Sequence, residues 1–98
     1  MNIFVSYTRN DGVITDIKLK ILFKFLSDNN NVFIHAIEST HRSVDQAEVI
    51  NNLMNSDVVL LLFTDGCLIS KWVNLEVELS NYLNIPIVTV DAKKLRFQ

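Results

Sequence analysis

The stretch Val58-Val59-Leu60-Leu61-Leu62-Phe63 limits the possible folds of this chain more than any other feature. It is an uninterrupted run of β-branched and large apolar residues with no polar alternation. Successive side chains of a strand point to opposite faces, so a strand apolar at every position must be covered on both. That pattern belongs to a central strand of a parallel sheet with helices above and below it. An all-β protein would need many tight turns and the glycines that shape them. The 98 residues contain only two glycines and one proline.

The rest of the chain alternates to match. Asn2 to Tyr7 reads as a first strand, with consecutive Ile3, Phe4 and Val5 again implying burial on both faces. A polar loop follows from Thr8 to Gly12. The spacing of Ile14, Ile17, Ile21 and Phe25 predicts a helix over about Ile14 to Ser27, its stripe widened by Leu22 and Leu26, and further by Leu19 and Phe23. Asp16, Lys20 and Lys24 take the polar side, and the Lys18 stem must snorkel to water. Asp28-Asn29-Asn30-Asn31 ends the helix, since asparagine tolerates left-handed backbone. Val32 to Ile34 is a short second strand, and Ala36 to Arg42 an irregular connection.

Ser43 then reads as an N-cap, with Gln46 completing a capping box. The helix it opens has Ala47, Ile50, Leu53 and Met54 as apolar positions. The third strand is Asp57 to Thr64, followed by a loop to Ser70. A helix from Trp72 to Leu83 is broken by Asn84-Ile85-Pro86. Ile87 to Val90 is the fourth strand, and Ala92 to Gln98 reads as a tail.

This βαβαβαβ order predicts a single α/β domain over residues 1–98, a three-layer flavodoxin-like parallel sheet. Its four strands take the order 2-1-3-4, truncated at the C-terminus relative to a full flavodoxin-like unit. Ligands in such sheets bind beyond the carboxyl ends of the strands where the order reverses. Here that point lies between strands 1 and 3, at the loops starting from Thr8 and Thr64. The truncation leaves one face of strands 3 and 4 uncovered, which predicts self-association or a partner there.

Charge and composition narrow the function. The net charge is −2 and the pI about 5.5, with no basic face, which argues against a nucleic-acid binder. Lys93-Lys94-Leu95-Arg96 reads as a solvated tail. Cys67 is the only cysteine, so an internal disulfide is impossible. The longest apolar run is far too short to span a bilayer, and Met1-Asn2 leads into a strand rather than a signal peptide. No membrane association and a cytoplasmic location are the expectations. His35, His41 and Cys67 lack metal-site spacing. Asp11 and Asp65 could bind a cation as in a phosphate-accepting receiver, but the paired acidic residues such a site needs directly after strand 1 are missing.

Three segments carry a resemblance. "IFVSYTRNDG" resembles the first conserved segment of Toll/interleukin-1 receptor (TIR) domains, where a strand ending in Phe-x-Ser-Tyr opens into a polar loop. "NSDVVLLLFTDGCLISKWVNLEVELS" is similar to the later TIR segment, with a central apolar strand followed by Ser70-x-Trp72-x-x-x-Glu76. "IPIVTV" resembles the next strand. The resemblance spans residues 2 to 91 and is nearest to divergent TIR-like proteins of bacterial defence systems, which make a nucleotide signal from NAD. It departs from the family at His35, where many TIR domains have an aspartate. "AIESTHRSV" also lacks the glycine and proline of the loop that mediates TIR–TIR contacts.

The resemblance implies an NAD-cleaving enzyme, a glycohydrolase (hydrolase) or cyclase, in signalling or defence. Glu76 would be catalytic, and Tyr7, Arg9, Ser70 and Trp72 would bind substrate. NAD would be the substrate rather than a cofactor, and TIR-type assembly into an oligomer would be expected. The alternative is a non-catalytic TIR-type interaction module. From the residues alone, Glu76 and Glu78 are polar positions on an amphipathic helix, with Glu78 solvated. Arg9 is a loop charge, Trp72 a packing residue, and Ser6 a local hydrogen-bonding group.

Overall fold

The computed structural model describes residues 1–40 and 42–94. The strands are β1 (Asn2–Ser6), β2 (Asn31–Phe33), β3 (Val58–Phe63) and β4 (Ile87–Asp91). The helices are α1 (Asp16–Leu26), α2 (His35–Glu38), α3 (Gln46–Met54) and α4 (Lys71–Tyr82), with short 3-10 turns at Asp65–Leu68 and Ala92–Lys94. All strands are parallel, in the order β2-β1-β3-β4. The sequence-predicted α/β class and strand order are therefore observed. Among the described residues no helix is long and apolar enough to cross a membrane.

Alternation along the strands separates two cores. On one face Ile3, Val5 and Leu62 pack against Leu19 and Leu22 of α1, with Ile14 and Ile34. On the other, Phe4, Phe33 and Val59 meet Val49 and Leu53 of α3, and Leu61 meets Cys67 and Val73 beneath α4. Phe4 and Phe33, opposite each other across β1 and β2, stack with ring centroids 5.5 Å apart. The result is three layers, with α1 on one side and α3 and α4 on the other.

Several local expectations are corrected. The α1 residues facing the core are Leu19 and Leu22, while Ile17 and Phe25 are 71% and 78% exposed and Ile21 is exposed as well. Lys18 sends its ammonium not to water but to the Val13 carbonyl, at 2.9 Å. Helix α1 ends at Ser27 in right-handed geometry, and the left-handed asparagine is Asn84, after α4. His35–Glu38 is helical where an irregular connection was expected. Helix α3 is capped not by Ser43 with Gln46 but by Asp45, whose side chain accepts from the Glu48 N–H at 2.9 Å. Ala47 and Met54, expected in the core, are exposed, and Val49 takes their place. Ala92, expected in a tail, is buried in a 3-10 turn, and residues 95–98 lie outside the described residues. Val88, level with Leu60 on the α1 side of the sheet, is 50% exposed, so this face of β4 is partly uncovered.

The two central loops are tied together. The Asp11 carboxylate accepts from the Gly66 N–H at 2.7 Å, and the Asn10 amide donates to the Gly66 carbonyl at 3.1 Å. The Thr64 hydroxyl and the Gly66 amide hold the Asp11 carboxyl below its ordinary pKa. Asp65 pairs instead with Lys93. A Cβ on Gly66 would overlap the Asn10 side chain and crowd the Asp11 carboxylate. Both are the ends of exposed side chains that can swing aside, so the cost of Gly66→Ala should be the loss of the clamp, about 1 kcal/mol, the usual net scale of a hydrogen bond. Urea unfolding beside wild type checks this, and a variant of unchanged midpoint and slope would show that the clamp yields freely.

Candidate active site

Helix α4 brings the predicted residues together from one side. Ser70 caps it, its hydroxyl accepting from the Val73 N–H at 3.2 Å, which satisfies one of the free amides of the first turn. Trp72 and Glu76, four residues apart, then fall on one face of the helix, and that face turns toward the sheet. Trp72 packs against the cluster of Phe4, Phe33, Val49 and Leu53 and also borders a cavity. It serves packing and lining together. Glu78 is exposed, as expected.

From the other side come the carboxyl end of β1 and the start of α2. Tyr7 is half-buried, and its hydroxyl accepts from the Ala36 N–H at 3.0 Å, linking β1 to α2. Burial raises the Tyr7 phenol above its ordinary pKa, an effect reduced by the Ala36 amide and by Arg9. Arg9 forms an ion pair of 2.7 Å with Asp16, and both side chains are well exposed. An exposed pair of this kind contributes little to stability, which leaves the guanidinium free to exchange partners.

These residues enclose a cavity of about 370 Å³, within the usual range for ligand pockets. Tyr7, Arg9, Ser70, Trp72 and Glu76 all line it, so the five residues singled out in the sequence share one site. It opens beyond the carboxyl ends of β1 and β2. Of the two loops marked by the strand-order argument, the one from Thr8 contributes. The one from Thr64 contributes only its last residue, Ser70, because Thr64 is buried and the following Gly66 is clamped to Asn10 and Asp11. His35, Ala36 and Ser39 also line the cavity and were not anticipated. A signal for His35 existed in its place directly after a strand, at the sheet edge where the site lies.

Glu76 is the one carboxyl among the described lining residues. It is 3% exposed and accepts, at Oε1, a hydrogen bond of 2.9 Å from Ser6 Oγ. Ser6, 1% exposed, was expected to bond locally. It reaches instead across seventy residues of sequence. Alternation placed it on the same face as Phe4, toward α3 and α4, and a polar side chain there needs a partner. Desolvation pushes the Glu76 pKa up to about 7, against the opposing pull of the Ser6 hydroxyl and the Trp72 indole N–H. Around neutral pH this group can therefore exchange a proton or carry a charge in nearly dry surroundings. Among the described residues no group of three or more His, Cys, Asp or Glu is arranged to hold a metal ion.

The raised pKa has a stability consequence. The folded value of about 7 exceeds the ordinary 4.5, so the native state favours the protonated form. That preference stabilises fully below pH 4.5 and is lost as pH rises through 7, a swing of about 3 kcal/mol. Glu76→Gln should lack this swing, so its melting temperature relative to wild type should climb between pH 4.5 and 8. Parallel pH dependences would show that Glu76 is ordinary in its titration. Comparison of the chain with protein-family models, with curated proteins and with solved structures gives no match.

Proposed function

We propose that this protein cleaves the nicotinamide–ribose bond of NAD or a related nucleotide, as a TIR-type glycohydrolase or cyclase, with Glu76 as its catalytic carboxylate. The observation that carries the reading is a single buried carboxyl in the described lining of a cavity edged by aromatic groups and one arginine. Ordinary glycosidases need two carboxyl groups, one to protonate the leaving oxygen and one to assist attack. Nicotinamide is already cationic when bonded to ribose. It departs neutral, taking the electron pair of the C1′–N bond, and needs no proton. One carboxylate is then enough, because the only charge to stabilise is the positive one that develops on the ribose ring.

Glu76 supplies that charge from surroundings where electrostatic interactions are strong. Its carboxylate can also accept hydrogen bonds from the ribose hydroxyls. Tyr7 and Trp72 offer flat surfaces to the nicotinamide ring. Arg9, at the cavity wall, can exchange Asp16 for a phosphate oxygen through paired donors. Water adding to C1′ yields the hydrolysed sugar and releases one proton. Attack by the adenine or ribose of the same molecule gives a cyclic product. The reading places the protein in signalling or defence within the cytoplasm, and it calls for no cofactor.

Purified protein at high concentration should release nicotinamide from NAD, followed by liquid chromatography with mass spectrometry. Glu76→Ala should reduce the rate by a hundredfold or more, roughly the loss of one preorganised electrostatic group. The rate should rise with pH through about 7, because the working form is the carboxylate. Equal release by both proteins would remove Glu76 from the reaction, and no release by either would remove the enzymatic reading.

A second reading, an interaction module that self-associates or binds a TIR-type partner, is favoured by the exposed Ile17, Ile21 and Phe25 on α1 and by Val88 on β4. Clustered apolar surface of this kind marks interfaces. Sedimentation velocity over a concentration series should then show association that weakens in Phe25→Ser or Val88→Lys. A protein that stays monomeric throughout loses this reading.

A further inference from the structure

We propose that Ser6 is the positioning residue of this site: its hydroxyl anchors one oxygen of the Glu76 carboxylate from behind the cavity wall, so that the other is presented to the substrate in one fixed orientation. The inference rests on the reading of Glu76 as the working carboxylate. Ser6 Oγ donates to Oε1 at 2.9 Å, and both residues are almost wholly buried. Glu76 lines the cavity and Ser6 does not. Among the described residues no buried side-chain oxygen lacks a partner. The proposal gives the second oxygen, Oε2, to the cavity that Glu76 lines.

Position matters because a glutamate side chain has several rotatable bonds. A carboxylate free to swing loses much of the advantage of a preorganised charge, and small misplacements of reacting groups are costly in rate. The anchor itself is rigid. Ser6 is the last residue of β1 and stands level with Leu61 of the central strand β3, and sites built on sheet elements hold their geometry better than sites on loops. The hydrogen bond joins the sheet to α4, so it also fixes the distance between the two walls.

The groups that face Glu76 are few. Its own helix contributes the Trp72 indole N–H, and β1 contributes Ser6. Past the end of β1 come the Tyr7 phenol and the Arg9 guanidinium, and α2 brings His35. Of these, Ser6 donates the hydrogen bond to Oε1. Removing a donor to the charged form of a carboxyl raises its pKa, and a purely packing role for Ser6 would leave that titration unmoved.

The experiment is a carbon-13 carboxyl titration of glutamate-labelled protein, with the Glu76 signal assigned by its absence in Glu76→Gln. In Ser6→Ala the Glu76 midpoint should move up by about one unit, the scale of a hydrogen bond to a charged group. The pH profile of NAD cleavage should move by the same amount, with kcat reduced about tenfold and KM near wild type. Ser6→Thr, which keeps the hydroxyl, should hold the midpoint near the wild-type value. Should Ser6→Ala fail to fold, Ser6→Cys, a weaker donor of similar size, carries the same test with a smaller upward shift. A midpoint that stays in place in a folded variant overturns the proposal, whatever happens to the rate. Absence of NAD cleavage by wild type overturns the enzymatic reading and with it the positioning role, while a shifted midpoint would then still establish the Ser6–Glu76 bond itself.

Discussion

Strands β1 and β3 pair at the centre of the sheet, from Ile3 beside Val58 to Ser6 beside Leu61, and the placing of every other element depends on that pairing. The chain leaves β1 toward β2 on one side and leaves β3 toward β4 on the other. Right-handed crossovers then put α1 on one face and α3 and α4 on the opposite one. The apolar residues of both central strands are divided between those faces, which is why neither strand shows polar alternation. The same divergence brings the loops after β1 and β3 side by side. Asn10, Asp11, Thr64 and Gly66 join them there. With that crevice filled, the open space moves to the neighbouring gap, between the ends of β1 and β2 and beneath α4.

The features set by strand physics were legible in the sequence. An uninterrupted apolar run admits one kind of environment, and the alternation of strands and helices restricts the topology to few choices. Helix α1 shows where that legibility stops. Its apolar residues cover most of its circumference, so two stripes of helical spacing coexist, Ile17-Ile21-Phe25 and Leu19-Leu22-Leu26. Periodicity cannot rank them. The second faces the sheet, where Leu19 and Leu22 join the core with Leu26 packed against it. Helix α3 had a similar ambiguity, since Ser43 with Gln46 and Asp45 with Glu48 offer overlapping caps two residues apart. The structure uses Asp45, and Glu48 then pairs with Arg42.

The candidate site divides along the same line. Trp72 and Glu76 were singled out through the resemblance, which rests on a local relation, four residues along one helix. Tyr7 and Arg9 were singled out through the resemblance of the first strand and its loop, and from the residues alone Arg9 read as a loop charge. Ser6 was visible as a polar residue on a buried face, but its partner lies seventy residues away, and no spacing rule reaches that far. His35 had only its place directly after a strand as a signal, and the parallel pairing of β1 and β2 brings it to the cavity.

The environment of Glu76 differs from that of a carboxyl placed for stability. A carboxyl placed purely for stability would be paired with a cation, its charge fixed and its pKa low. Arg9 borders the same cavity and could have served, yet it pairs with the exposed Asp16. Glu76 accepts a hydroxyl from Ser6 and has the Trp72 indole N–H near it instead, too little to offset its desolvation, and its pKa rises. The fold thus carries a poorly compensated buried carboxyl at a cavity, hydrogen-bonded to the last residue of β1. Perturbed groups of this kind concentrate at functional sites, and departures from local stability rules are expected there more than elsewhere. An apolar residue in place of Glu76 would fill the space beneath α4 and remove the desolvation cost. What it could not do, under the proposed function, is meet a cationic sugar with negative charge.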